Sequence, residues 1–337
     1  MDIKKNNRPQ SEDRVSLGLD VGGTKMAGIL MTADGSIVAK EAQYTLASEG
    51  GNAVLERLIV LAEKLLDKSK NCLMGIGVAT PGIVDADNQF VRFISTEIPG
   101  WRNLPIAQVL SSRFGVRVLI ENDGRMAALA EHHLGVGRGC ENFVTIVLGT
   151  GVGGGIVANN EILSGGHGGG GRLGHISVDP RGPICSCGNR GCLELYASGT
   201  ALAEAFRAAI SQNPYEFSIG KFLDQQSEEF SGRNVIELAE SGNDLARTVL
   251  EHAGEKLGLA MVQVIRMMDP EKIVIGGSIS AAGDLLIVPA RHVLSTYCPE
   301  EFPFTPSIEK AKFGRDASVV GAALLGWQAF ERNPEIS

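Results

Sequence analysis

The hydrophobic positions near the start of the chain fall in short runs separated by turn residues. Val15–Val21 reads as a strand, Gly22-Gly23 as a turn, Met26–Met31 as a second strand, and Asp34-Gly35 as a hairpin turn before Ile37–Gln43. The period then changes. Over Asn52–Ser69 the apolar residues Val54, Leu55, Leu58, Leu61, Leu65 and Leu66 take the spacing of one helical face. Leu73–Ala79 follows as a buried strand, Leu104–Phe114 as a short helix and Val116–Ile120 as another strand, so this stretch predicts β-β-β-α-β-α-β.

The same rhythm restarts at Phe143–Leu148, a strand running into the glycine-rich turn Gly149–Gly155, which feeds a strand Gly155–Ala158 and a turn at Asn159-Asn160. Leu245–Met268 predicts a long helix, Lys272–Ile275 a strand entering Gly276-Gly277-Ser278, and Ser318–Phe330 a final amphipathic helix. The repetition predicts an internally duplicated α/β chain: one lobe over 14–122, a second over 123–317, a central cleft between them, and helix 318–332 packing back on the first lobe.

Composition narrows the class. A chain of 337 residues exceeds one ordinary domain, and 44% hydrophobic with 21% charged residues excludes a disordered or coiled-coil chain. The 31 Lys+Arg against 39 Asp+Glu give −8 with no long basic run, which argues against nucleic acid as a partner. No apolar run approaches the roughly 20 residues of a membrane span. Residues 1–13 are polar and lack the apolar middle of a signal peptide, so a cytoplasmic location is expected. In that reducing compartment the six cysteines should be thiols or metal ligands, and Cys72, Cys140 and Cys298 read as core residues. Glycine is the outlier. Its 43 residues, roughly 13% of the chain against a usual 7%, cluster after strand-like runs and read mostly as turns and ligand-facing loops.

Two of those loops suit polyphosphate. Asp20-Val21-Gly22-Gly23-Thr24-Lys25 puts a carboxylate at a strand end, then two glycines, a hydroxyl and an ammonium. Unhindered N–H groups and Thr24 can bond phosphate oxygens while Asp20 positions a hydrated Mg²⁺; the other reading is a hairpin with charged ends. Gly149-Thr150-Gly151-Val152-Gly153 repeats the design. Its formal G-x-G-x-x-G match lacks the following helix and the acid of a dinucleotide fold, and neither loop closes with the Gly-Lys-Ser/Thr of a Walker A motif.

Ile120-Glu121-Asn122-Asp123-Gly124 ends a strand and opens a helix carrying Met126, Leu129, Ala130 and Leu134. Asp123, between the two loops in sequence, could accept a proton from a hydroxyl attacking a γ-phosphoryl group, with Asn122 orienting the substrate; the alternative is an Asp that only caps the helix. His175 with Cys185, Cys187 and Cys192 supplies one imidazole and three thiols, a closed four-ligand set for a structural Zn²⁺ in the loop 175–192. His132 and His133 are expected at the surface.

The paired glycine hairpins resemble the actin-like ATPase arrangement, a duplicated ribonuclease H-like βββαβαβα fold that includes sugar kinases. Together with the Cys-x-Cys-Gly-x-x-Gly-Cys run at Cys185–Cys192, the chain from Leu17 to Phe330 resembles the ROK family of repressors, open reading frames and kinases. By that resemblance Asp20, Gly22, Gly23, Thr24, Lys25, Gly149, Thr150, Gly151 and Gly153 serve the phosphates of ATP, and Gly276 and Gly277 its adenosine side. Asp123 is the base. Thr80, Pro81, Gly82, Asn103, Asn122 and Glu194 fall where the family contacts sugar, and His175 is similar to a residue that binds zinc and touches the sugar. The resemblance also implies a homodimer.

One position departs from the family pattern. Its sugar kinases carry Glu-x-Gly-His where this chain has Arg172-Leu173-Gly174-His175. A guanidinium cannot accept a hydrogen bond, so a substrate other than plain glucose, with an anionic or acceptor-rich substituent, is expected; the alternative is an Arg172 that turns outward. The expected function is a hexose kinase moving the γ-phosphoryl group of MgATP to a sugar hydroxyl, O6, with N-acetylmannosamine, N-acetylglucosamine or fructose as alternative acceptors. A sugar-sensing regulator without a DNA-binding module is the reading from another class, since only about 19 residues, the first 13 of them polar, precede Asp20.

Overall fold

The computed structural model describes residues 14–85, 89–93, 98–212, 230–298 and 305–332; the polar stretch 1–13 lies outside them. The chain divides into two compact units, one of residues 1–130, 164–169 and 316–337, the other of 131–163 and 170–315.

The first unit opens with an antiparallel meander, β1 (Arg14–Val21), β2 (Lys25–Met31) and β3 (Ile37–Tyr44), followed by helix α1 (Gly51–Asp67) and strand β4 (Cys72–Thr80). A small hairpin, β5 (Ile83–Asp85) with β6 (Phe90–Phe93), has no counterpart among the predicted elements. Helix α2 (Ile106–Phe114) and strand β7 (Val118–Asn122) lead into α3 (Asp123–Leu134). The sheet order is β3-β2-β1-β4-β7, with β1, β4 and β7 parallel.

Alternation along β1 and β4 gives the sheet two unlike faces. Val15, Leu17, Leu19, Ile76 and Val78 are fully buried and share one core with Val54, Leu58, Leu61 and Leu65 of α1. Each such side chain contributes about 1.5–3 kcal/mol by leaving water. The opposite face carries Ser16, Gly18, Gly75 and Gly77, and against it lies the last helix, α9 (Ala317–Glu331). A methyl group at Gly18, Gly75 or Gly77 would overlap backbone atoms of Val319, Gly326 or Ala322 respectively. These glycines are therefore strand residues that let a helix backbone touch a sheet backbone, not turn residues. Helix α9 is buried at Val319, Val320, Ala322, Ala323, Leu325 and Ala329, more fully than an amphipathic helix would be, because Gly321 also lies against the Met126 carbonyl of α3.

The second unit repeats the topology. Strands β8 (Phe143–Leu148), β9 (Val152–Ala158) and β10 (Glu161–Ile162) form a meander, and β8 pairs in parallel with β11 (Lys272–Gly276), which pairs with β12 (Ser307–Lys310). The order β10-β9-β8-β11-β12 matches that of the first sheet strand for strand. Between β10 and β11 come the one-turn helix α4 (Glu194–Ala197), then α5 (Gly199–Gln212), α6 (Gly232–Glu240) and α7 (Asp244–Met268); α8 (Asp284–Tyr297) precedes β12. Gly254 and Gly258 of α7 meet the carbonyls of Leu286 and Ala290, so α7 and α8 also pack backbone to backbone.

The division between the two compact units falls inside α3, after Ala130, and Met126 in the first turns of that helix packs with Gly321 of α9. Residues 164–169 belong to the first unit: Arg125 donates to Gly168 O, and a methyl at Gly168 would overlap Val84 O. Of the cysteines expected in the core, Cys140 and Cys298 are buried and Cys72 is exposed at the start of β4. His133 is exposed, whereas His132 is half-buried against Phe143.

The glycine packing of α9 can be checked directly. Gly77→Ala should lower unfolding free energy in urea by about 3 kcal/mol or more, since backbone atoms rather than a movable side chain oppose the methyl.

Candidate active site

The parallel strands of the first unit end together. Asp20 of β1 is paired with Ala79 of β4, and Ala79 with Glu121 of β7, so Asp20, the Thr80-Pro81-Gly82 segment and Asn122-Asp123 lie side by side at the carboxyl ends of three adjacent strands. Open α/β sheets bind ligands at this edge.

Asp123 is the first residue of α3, and Asn122, not Asp123, caps that helix: its Oδ1 accepts from Arg125 N at 3.2 Å. The Asn122 amide donates to Gly82 O and to Asp123 Oδ1, both at 3.0 Å, and Gly124 N donates to the same Asp123 oxygen at 2.8 Å. Asp123 is thus held without being consumed as a cap. Below it, Glu121 and Arg125 form a largely buried ion pair at 3.0 Å, and Glu121 also accepts from Asn122 N at 2.7 Å.

Asp20 is half-buried. Burial first, and then the charge of Asp123, push its carboxyl from an ordinary 3.8 up to about 8. Two acids that oppose each other's ionisation, on an edge lined with oxygen ligands, fit a divalent cation.

The turn after Asp20 is a short reversal in which Gly22 N donates to Lys25 O at 3.0 Å; Gly23, Thr24 and Lys25 are exposed, and Lys25 lies 5.3 Å over the Tyr44 ring. Thr80 is fully buried. Its hydroxyl accepts from Trp101 Nε1 at 2.8 Å and donates to Pro81 O, so it shapes the segment rather than facing solvent. Asn103 is exposed, with a left-handed φ of 59°.

In the second unit the turn is tighter than the sequence suggests. Leu148 pairs with Val152, leaving Gly149-Thr150-Gly151 as the turn, and Gly153 is a strand residue opposite Val147. Gly153 to Gly155 lie in β9, and Gly154 makes room for Leu173. Gly277, with a φ of 84°, lies against Leu148 O, so the Gly276-Gly277 loop adjoins the turn at the same strand-end edge. Glu194 lies beneath the turn: its Oε2 accepts from Val152 N at 2.9 Å.

The Cys/His set is assembled. The ligand atoms of His175, Cys185, Cys187 and Cys192 lie within 4.8 Å of one another, with Cys187 Sγ 3.6 Å from Cys192 Sγ and Cys185 Sγ 3.7 Å from His175 Nδ1. Tetrahedral zinc, with Zn–S near 2.3 Å and Zn–N near 2.0 Å, needs edges of about 3.5–3.8 Å, so the group fits. Gly188 and Gly191, with φ of 89° and 59°, make the reversals that bring the thiols together. Burial and then the neighbouring thiols push the Cys192 thiol up, a cost that a bound cation would relieve. Burial and Arg172 push the His175 imidazole down, keeping it neutral as a ligand must be.

Arg172 does not turn away. Its Nη2 is 2.7 Å from His175 Nε2.

Residues 16–329 match the model of the ROK family. The chain belongs to that family. It is 35% identical to the glucokinase of Thermotoga maritima over 309 residues, covering 92% of this chain and 96% of the relative, and 36% identical to the glucokinase of Halalkalibacterium halodurans, covering 94% of each. The structure of a ROK family glucokinase from Streptomyces griseus in complex with glucose and AMPPNP superposes with a TM-score of 0.83 at 28% identity, covering 93% of this chain and 99% of that one. The fold of this ROK protein is the actin-like ATPase fold.

Sequence reasoning singled out each of these candidate residues but not Trp101, Glu121 or Arg125, which carry no motif and act only through neighbours. Metal analysis of the purified protein should find about one zinc per chain, and Cys187→Ser should lose most of that zinc and melt several degrees lower.

Proposed function

We propose that this chain, an ATP-dependent sugar kinase of the hexokinase type, transfers the γ-phosphoryl group of ATP to O6 of a hexose with Asp123 as the general base. The observation that carries the reading is the register Asp20–Ala79–Glu121, which sets an acid on either side of the Thr80–Gly82 segment at one sheet edge.

Asp123 accepts the hydroxyl proton as the oxygen attacks phosphorus, a contribution of roughly 10²–10⁴ in rate. Asn122 holds the carboxylate for that step through its amide, and with Oδ1 taken by Arg125 N its main service is to Asp123. The first turn, Gly22 to Lys25, bonds the phosphoryl group being transferred; the second, Gly149 to Gly151, bonds the remaining phosphates, and Gly276-Gly277 adjoins adenosine. Mg²⁺, held near Asp20 with the nucleotide, would neutralise charge on the phosphates. Zn²⁺ on His175, Cys185, Cys187 and Cys192 is structural, since four protein ligands leave no open position.

The acceptor sugar follows from counting donors. A guanidinium only donates, so the 2.7 Å contact needs a lone pair on His175 Nε2. Once Nδ1 is given to a metal, a neutral ring carries its hydrogen on Nε2, and Arg172 and His175 become two donors facing one another. An acceptor placed between them satisfies both. A hydroxyl oxygen of a sugar can do this, and a carboxylate or acyl oxygen, the stronger acceptor beside a guanidinium, suits the site better.

Asp123→Asn should retain nucleotide and sugar binding by calorimetry while kcat falls at least about 100-fold; full activity in that variant would refute the assignment. Arg172→Glu should raise kcat/KM for glucose and lower it for sugars with acidic or N-acyl substituents in a coupled ADP-release assay, and an unchanged preference would count against the donor argument.

A further inference from the structure

A loop that receives phosphate must turn its N–H groups toward the anion and its carbonyl oxygens away, because a carbonyl facing phosphate repels it. In both units carbonyls of the glycine turn are tied back, and in both a threonine supplies part of the tie. In the first unit Thr45, fully buried just after β3, donates its hydroxyl to Gly22 O at 2.7 Å and its N–H to Thr24 O at 2.9 Å. Its own carbonyl accepts from Arg57 Nη1 of α1 at 3.1 Å, which anchors the tie to the core helix. In the second unit Gly199 N donates to Gly149 O at 2.8 Å, and Thr200 reaches Thr150 O with its N–H at 3.4 Å and its hydroxyl at 3.1 Å. Gly149 N donates in turn to Gly151 O at 2.9 Å, so all three carbonyls of that turn are engaged.

The two threonines come from unrelated places. Thr45 follows an edge strand, and Thr200 is the second residue of α5. The same device recurs where the topology does not dictate it, whereas the surrounding strands recur simply because the fold is duplicated.

We propose that Thr45 and Thr200 are positioning residues for phosphate binding, each holding a glycine turn with its carbonyls averted from the nucleotide. The inference rests on the reading of the two turns as phosphate loops. Neither residue touches the reacting atoms; each acts on the turn.

The test uses the full chain and separates phosphate from nucleoside. Thr45→Val and Thr200→Val each remove one hydroxyl while keeping size and shape, and the Thr→Ser variants restore it. Affinities for ATP, ADP and adenosine are measured by calorimetry alongside melting temperature. The expected result is a rise of roughly tenfold in Kd for ATP in each Val variant, a smaller rise for ADP, no change for adenosine, and recovery to within about twofold in the Ser variants. Sugar KM should stay constant while KM for ATP rises. Unchanged ATP affinity in folded Val variants, or an equal loss for adenosine, would overturn the proposal. If Thr45→Val does not fold, Thr200→Val, whose side chain is exposed, decides the matter by the same criteria. A wild-type chain that binds no ATP would sink the phosphate-loop reading itself, a different outcome from intact binding that ignores the threonines.

Discussion

Holding two acids close together is the constraint around which the first unit is organised. Asp20 and Asp123 oppose each other's ionisation at the ends of β1 and β7, and only a rigid frame keeps them there. The frame is β4, whose glycines bring α9 into backbone contact with the sheet on one side while Ile76 and Val78 pack on the α1 side. The cost is visible in Asp20. Its folded pKa of about 8 lies above the ordinary 3.8, so the contribution of its neutral form to stability is complete below about pH 4 and is lost as pH rises towards 8. At neutral pH the chain without a cation is therefore less stable than a chain with a neutral residue at Asp20 would be. That is the usual signature of a group retained for binding rather than for folding.

Much of this frame was legible in the sequence, since a sheet with unlike faces writes a two-residue period and a packed helix a 3.6-residue one. The meanders, α1, α7 and the cysteine set follow from those periods and from ligand spacing. What stayed hidden depends on partners distant in the chain. Gly18, Gly75 and Gly77 look like loop glycines because nothing nearby announces α9, some 240 to 300 residues later. β12 (Ser-Ile-Glu-Lys) is a polar edge strand with no apolar run, and α8 carries an internal proline at Pro289. In the site, Asn122-Asp123 marks a helix start without saying which residue caps it. Thr45 acts on a carbonyl 23 residues earlier, a relation no motif records.

The arginine at 172 shows how a single position alters the logic of its neighbours. A metal-ligating histidine ordinarily donates its second N–H to an acceptor, which fixes the ring and raises ligand basicity. Here the group at 2.7 Å is a donor. The histidine can serve metal and arginine together only if something with lone pairs joins them. Glu194, whose charge reaches His175, is engaged by Val152 N and does not bond Arg172 among the described residues.

The two units share a strand order but not a chemistry, and the difference lies in two or three residues per turn. Where β1 brings Asp20 to the edge before Gly22-Gly23, β8 brings Val147 and Leu148 before Gly149. The carboxylate beside the first turn comes from the strand that leads into it. The second turn is held by backbone and side chain together: its three carbonyls are engaged by Gly199, Thr200 and Gly149, and Gly277 closes on Leu148 from the neighbouring strand. The carboxylate near it, Glu194, comes from α4 and accepts from Val152 N. The two turns differ in these contacts while the two sheets keep the same strand order.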